Sequence, residues 1–143
     1  MSWLLDTNVV SELRKSSRRG DPAVRAWIGS QHPFELHLSS ITVLEIELGI
    51  RRIARRDPDQ AVRLQRWLDE DLLEVFSGRI LPIDADVARR AARMHVPDPR
   101  PERDALIAAT AAVHGFTVVT RNLTDFRELG VPVVDPWEAQ ADS

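Results

Sequence analysis

Short apolar runs of strand length alternate with longer segments of helical spacing along the whole chain, and this alternation constrains the fold more than any other feature. Residues 3–5 (Trp3-Leu4-Leu5), 34–39, 80–83, 117–120 and 131–134 read as strands. Between them lie helices with recognisable starts. Thr7 and Asn8 offer cap oxygens for a helix through Val9, Val10 and Leu13. Asp21-Pro22 opens a second that ends near Gly29, and Asp57-Pro58 opens another that carries Leu64, Trp67, Leu68 and Leu72. Ser40 or Thr42 caps a helix to about Arg56, Asp84 caps residues 85–95, and residues 103–114 stop at Gly115. Strands alternating with helices predict an α/β fold with a central, mostly parallel sheet of four to five strands, covered by helices on both faces. Pro132 makes residues 131–134 an edge strand. At 143 residues this is one domain, expected over residues 1–138, with 139–143 a frayed tail.

Composition removes several function classes. The absence of cysteine excludes disulfides, thiolate metal sites and a thiol nucleophile. Lys15 is the single lysine, so no GK[ST] phosphate loop exists, and the scattered glycines give no GxGxxG. No apolar run approaches the roughly 18 residues that cross a membrane. The start MSWLLDTN lacks the basic and apolar regions of a signal peptide, so a cytoplasmic protein without membrane contact is expected.

Open α/β sheets bind ligands beyond the carboxyl ends of their strands. Asp6 follows the first predicted strand directly. A carboxylate there must be solvated, paired or bound to a cation, or else cap the next helix. Glu45 sits in Ile41-Thr42-Val43-Leu44-Glu45-Ile46-Glu47-Leu48-Gly49, on an apolar helix face, and periodicity alone leaves Glu45 and Glu47 as alternatives. Asp104 opens the apolar helix of residues 103–114, where the macrodipole favours an anion. Asn122 and Asp125 follow the 117–120 strand in a segment that reads as a turn. Carboxylates crowded in one cleft must take up a proton or a cation. Oxygen ligands without histidine or cysteine suit hard cations such as Mg²⁺ or Mn²⁺. The four histidines lack HExxH spacing and receive no role.

Arginine makes up 18 of the 19 bases. Arg14, Lys15, Arg18 and Arg19 cluster after the Asp6 segment, and Arg51, Arg52, Arg55 and Arg56 end the Glu45 helix. Such groups could hold a phosphate backbone, or simply solvate helix ends. The net charge of −3 argues only mildly against nucleic acid, because setting the four acids aside leaves 18 acids against 19 bases.

LLDTNVVSEL (residues 4–13), SSITVLEIELGI (39–50), RDALIAATAAVHG (103–115), VVTRNLTDF (118–126) and the closing GVPVVDPW (130–137) resemble the PIN domain, most closely its VapC and FitB-like toxin branch. The resemblance spans essentially the whole chain. It implies a three-layer α/β/α sandwich and a metal-dependent ribonuclease, the toxin of a type II toxin–antitoxin pair. It selects Glu45 over Glu47 and implies catalytic and metal-binding roles for Asp6, Glu45, Asp104 and Asp125. Family members often carry an acid immediately after the TR pair. This chain has Asn122 there, and Asp125 is the nearest acid. Thr7, Asn8, Thr120 and Asn122 would support the site, with Arg14, Lys15, Arg51, Arg52 and Arg121 as candidate RNA contacts. The implied cofactor is Mg²⁺, with Mn²⁺ able to substitute. The implied partners are RNA, a small antitoxin of the VapB or FitA kind, DNA only through that antitoxin, and a second copy of the chain. Trp27 and Trp67 are candidates for contacts between copies, or for core packing.

Two other classes compete. The chain could be a silent nuclease acting as partner in a DNA-bound antitoxin complex. A phosphatase or receiver domain would want a second aspartate where Asn8 stands, and a late lysine that this chain lacks.

Overall fold

The computed structural model describes residues 1–138, so the expected tail at 139–143 lies outside the described residues. Five parallel strands form one sheet in the order β3-β2-β1-β4-β5. They are β1 (Trp3–Leu5), β2 (Leu36–Ser39), β3 (Ile80–Leu81), β4 (Thr117–Val119) and β5 (Val133–Val134). The first strand lies at the centre, pairing Leu4 with His37 on one side and with Val118 on the other. Strand order therefore reverses at β1, which makes its carboxyl end the cleft of the fold. Pro132 precedes β5, which is the edge strand expected.

Alternation along the strands builds two cores. Leu5 and Val119 face one layer, made by α1 (Thr7–Arg14), α2 (Pro22–Gly29), part of α3 (Ser40–Ala54) and α4 (Pro58–Arg66). This layer continues from α4 through a wide π-type turn at Trp67–Leu72 into the single turn α5 (Leu73–Val75). Leu4 and Val118 face the opposite layer, where α7 (Glu102–His114) supplies Ile107, Ala108 and Ala111 and α8 (Leu123–Arg127) supplies Phe126. Side chains two apart share a face of a strand, so adjacent leucines at 4 and 5 serve both cores. The remaining helix α6 (Ala85–Met94) packs on α7 through Val87, Ala91 and Ala109. Small residues on α7 let that pair approach closely. Gly115 ends α7 at φ 72°, a left-handed turn that suits glycine.

The structure settles several local alternatives and changes others. The N-cap of α1 is Asp6, not Thr7 or Asn8, and the N-cap of α3 is Ser39, whose Oγ accepts the Ile41 N–H at 3.0 Å. Both strands thus pass into helices without a loop, because a polar residue at the strand end can cap at once. Residues Pro33–Glu35 form a 3₁₀ turn, with His32 Nδ1 accepting the Phe34 N–H at 3.2 Å, so β2 begins only at Leu36. Asp125 lies on a short helix, not in an open turn. Of the two readings for Trp27, core packing holds: it is buried edge-on against Trp3 at 5.0 Å.

Candidate active site

Asp6 occupies the step from β1 into α1 and is 5% exposed. Its Oδ1 accepts the Thr7 N–H at 2.8 Å. Its Oδ2 accepts the Thr120 hydroxyl at 2.8 Å and the Asn8 amide at 3.3 Å. Thr120 directly follows β4, so this hydroxyl ties together the ends of two paired strands. It also accepts the Asn122 N–H at 3.0 Å, and Asn8 Oδ1 accepts the Arg121 N–H at 3.4 Å. The carboxylate is therefore fixed in direction by residues from both sides of the switch point.

Glu45 arrives from α3. Its Oε1 accepts the Thr7 hydroxyl at 2.8 Å, and its Oε2 lies 3.8 Å from Arg103 Nη1. Thr7 Oγ1 also stands 3.2 Å from the buried Thr42 hydroxyl. Glu47, two residues on, instead has Oε1 3.8 Å from Arg51 Nη2, while its Oε2 is buried without a hydrogen-bond partner among the described residues. Asp104 is half-buried in the first turn of α7, and Asp125 is exposed on α8.

The electrostatics show that these acids share one environment. Burial, the largest cause, pushes the Asp6 carboxyl up to about 6, against the hydrogen bonds from Thr120 and Thr7. The negative charges of Asp104 and Glu45 push it further in the same direction. Asp104 is likewise raised, first by burial and then by Asp125 and Glu45. Asp6 and Asp104 are thus both displaced toward the protonated form, the condition that a cation relieves.

The four carboxylates, with hydroxyl and amide oxygens behind them, suit a hard cation in kind. Among the described residues no three acidic, histidine or cysteine side chains converge as a finished metal cage. That fits an ion held by one or two carboxylates and otherwise by water and substrate phosphate, as Mg²⁺ commonly is.

The other expected residues divide. Arg14 borders a hollow that opens beside Thr7 and Glu45. Arg121 lies over the Trp137 ring at 4.8 Å, next to the strand-end network. Lys15 is committed to buried Glu12 at 2.8 Å, and Arg51 to Glu47, while Arg52 is exposed on α3. Asn122 Nδ2 and Oδ1 make no side-chain bond among the described residues, and its role in the network is through its backbone. Sequence reasoning missed Thr42 and Arg103. Arg103 had a readable signal, since a base in the first turn of a helix opposes the macrodipole and wants a local acid.

A PIN domain family model matches residues 3–132. The VapC ribonuclease Y4jK of Sinorhizobium fredii is 38% identical over 94% of this chain and 97% of its own length. Toxin FitB of Neisseria gonorrhoeae is 36% identical, again over 94% of this chain and 97% of its own. A solved structure of FitAB bound to the IR36 DNA fragment superposes with a TM-score of 0.84 at 34% identity, covering 94% of this chain and 95% of that one. No helix among the described residues is long and apolar enough to cross a membrane. The fold, the acids at its switch point and these matches agree that the chain belongs to the PIN domain family, alongside the VapC and FitB toxins.

Proposed function

We propose that this chain is the toxin of a toxin–antitoxin pair and acts as a Mg²⁺-dependent endoribonuclease. The observation that carries the reading is Asp6: a buried carboxylate at the switch point, fixed by Thr120 and Thr7, and raised to about 6 in the company of Asp104 and Glu45. An enzyme gains nothing structurally from crowding acids where they destabilise one another, so the arrangement supports a charge-binding task.

Asp6 and Asp104 would hold the ion, with Asp125 at the exposed rim and Mn²⁺ as a substitute. When bound, the ion supplies positive charge against the scissile phosphate and lowers the pKa of water. Glu45 is the acid best placed to accept a proton from attacking water. It is only partly buried, and Thr7 and Arg103 hold it in one orientation. Asn8 and Thr120 act through Asp6 by keeping its second oxygen directed. The partner in this reading is a small antitoxin, through which the pair would reach DNA, as the name of the FitAB–DNA structure suggests for that complex. A homodimer belongs to the same reading.

Expression of the chain without its antitoxin should arrest growth, and Asp6→Asn should abolish the arrest. Equal toxicity of Asp6→Asn would defeat the nuclease mechanism. The DNA-bound FitAB structure also favours a second reading, a silent nuclease that serves chiefly in an operator-binding complex. Purified protein that cleaves no RNA with Mg²⁺, while its antitoxin complex binds operator DNA, would establish that alternative.

A further inference from the structure

Two hollows of about 150 Å³ and 310 Å³ adjoin on one side of the molecule and share Arg14, Leu64 and Trp67 as walls. The first begins at Thr7 and Glu45, and the second is bordered by Arg19, Gln60 and Arg63. Together they form a path that leaves the acidic site and ends among guanidinium groups. Arg14, Arg19 and Arg63 are exposed, and none of them forms an ion pair among the described residues. Trp67 is half-buried, stacks on no other aromatic ring among the described residues, and begins the π-type turn that follows α4. Such wide turns often occur at functional positions.

Gly49 adds an independent observation. Glycine inside a helix costs about 0.5–1 kcal/mol relative to alanine. A Cβ at this position would meet no atom within 4 Å, so the glycine relieves no clash. What it preserves is space in the first hollow, which it lines.

We propose that this path holds single-stranded RNA beside the scissile phosphate, with Arg14, Arg19 and Arg63 on backbone phosphates and Trp67 against a base. The proposal rests on the ribonuclease reading above. Guanidiniums without acidic partners favour a polyanion, and an available aromatic face favours a base that is not sequestered in a duplex. The path also explains why Lys15 and Arg51 are not part of it, since both are held by glutamates.

The test is binding of a fluorescent single-stranded RNA 12-mer to the full chain in EDTA, followed by anisotropy across salt concentrations. Arg19→Ala with Arg63→Ala should weaken binding at least tenfold and reduce the salt slope by about 1.4, the value for two phosphates on a single strand. Gly49→Leu should weaken binding about tenfold with no loss of thermal stability, and Trp67→Phe should retain more binding than Trp67→Leu. Arg89→Ala with Arg93→Ala, on α6, serves as the remote control. The proposal is overturned if the Arg19, Arg63 and Gly49 variants bind as wild type does, or if the α6 variant carries the loss. It is also overturned if polyglutamate displaces the RNA as readily as unlabelled RNA does, which would assign the path to an acidic protein segment. Groove-dependent binding by a protein that never cleaves would sink the nuclease reading and leave the path standing. Cleavage at full rate by the groove variants, with KM unchanged, would do the reverse.

Discussion

Thr120 Oγ1 donates to Asp6 Oδ2 at 2.8 Å, joining residues 114 positions apart across the central pair of strands. The bond lowers the Asp6 pKa against the burial that raises it. Thr120→Val should therefore push Asp6 above its value of about 6, weaken Mn²⁺ binding, and move the acid limb of kcat/KM to higher pH. Thr120→Ser should restore all three. Unchanged Mn²⁺ affinity in the valine variant would show that the hydroxyl does not position the carboxylate.

Asp6→Asn should raise the stability of the metal-free protein at pH 7. Folded Asp6 titrates near 6 and the unfolded group near 3.8, so the native state binds the extra proton between those values. Wild-type stability then falls as pH rises from about 4 through 6, and a shift of that size corresponds to roughly 3 kcal/mol. Asparagine keeps the cap but cannot satisfy every donor that Asp6 accepts, so the expected gain is about 1–2 kcal/mol. Urea unfolding at pH 4 and pH 7 measures it. A variant no more stable than wild type at pH 7 would contradict the charge crowding.

Glu12 provides a comparison of opposite sign. It is buried and accepts from Lys15 Nζ at 2.8 Å and from the Asp21 N–H at 2.6 Å. The Lys15 bond, ahead of an opposing desolvation, holds its carboxyl below the usual range. Its contribution is present above the ordinary value near 4.5 and is lost as pH falls through the lower folded value. Glu12→Gln should cost about 1–2 kcal/mol at pH 7 and little in acid, without altering kcat. Loss of cleavage in a folded Glu12→Gln protein would mean that this acid belongs to the site.

Asp125→Asn should lower the Asp104 pKa toward its ordinary range, because Asp125 is the largest of the charges that raise it. Carboxyl NMR titration reads this directly. If Asp104 titrates identically in the variant, Asp125 lies outside the shared environment.

Much of this was legible because local chemistry and global topology agree. The strand run ending at Leu5 and the acid at Asp6 are adjacent in the chain, so the site's first member could be read without knowing any contact. The helix starts at Asp21-Pro22, Asp57-Pro58 and Asp84 are likewise local, and all three appear as caps. The choice between Glu45 and Glu47 was not local. Both face apolar neighbours in sequence, so the resemblance made the choice, and in the structure Glu45 is the one that meets Thr7 at the start of α1 and Arg103 on α7. Thr42 was missed for the same reason, since its importance lies in a contact between elements. Asp6 stood among the cap candidates of α1, whereas the cap of α3 falls at Ser39, one residue before the expected Ser40, because Ser39 ends a strand and starts a helix at once.

The proposed function requires Asp6, Glu45, Asp104 and Asp125 to form a cation-dependent hydrolytic site. Single-turnover cleavage of RNA by antitoxin-free protein, with Mg²⁺ and with EDTA, tests it most directly in wild type and Asp6→Asn. Cleavage should require Mg²⁺ and fall at least about a hundredfold in the variant, a loss of roughly 3 kcal/mol in transition-state stabilisation. Wild-type rates in Asp6→Asn, or undiminished cleavage in EDTA, would contradict the account.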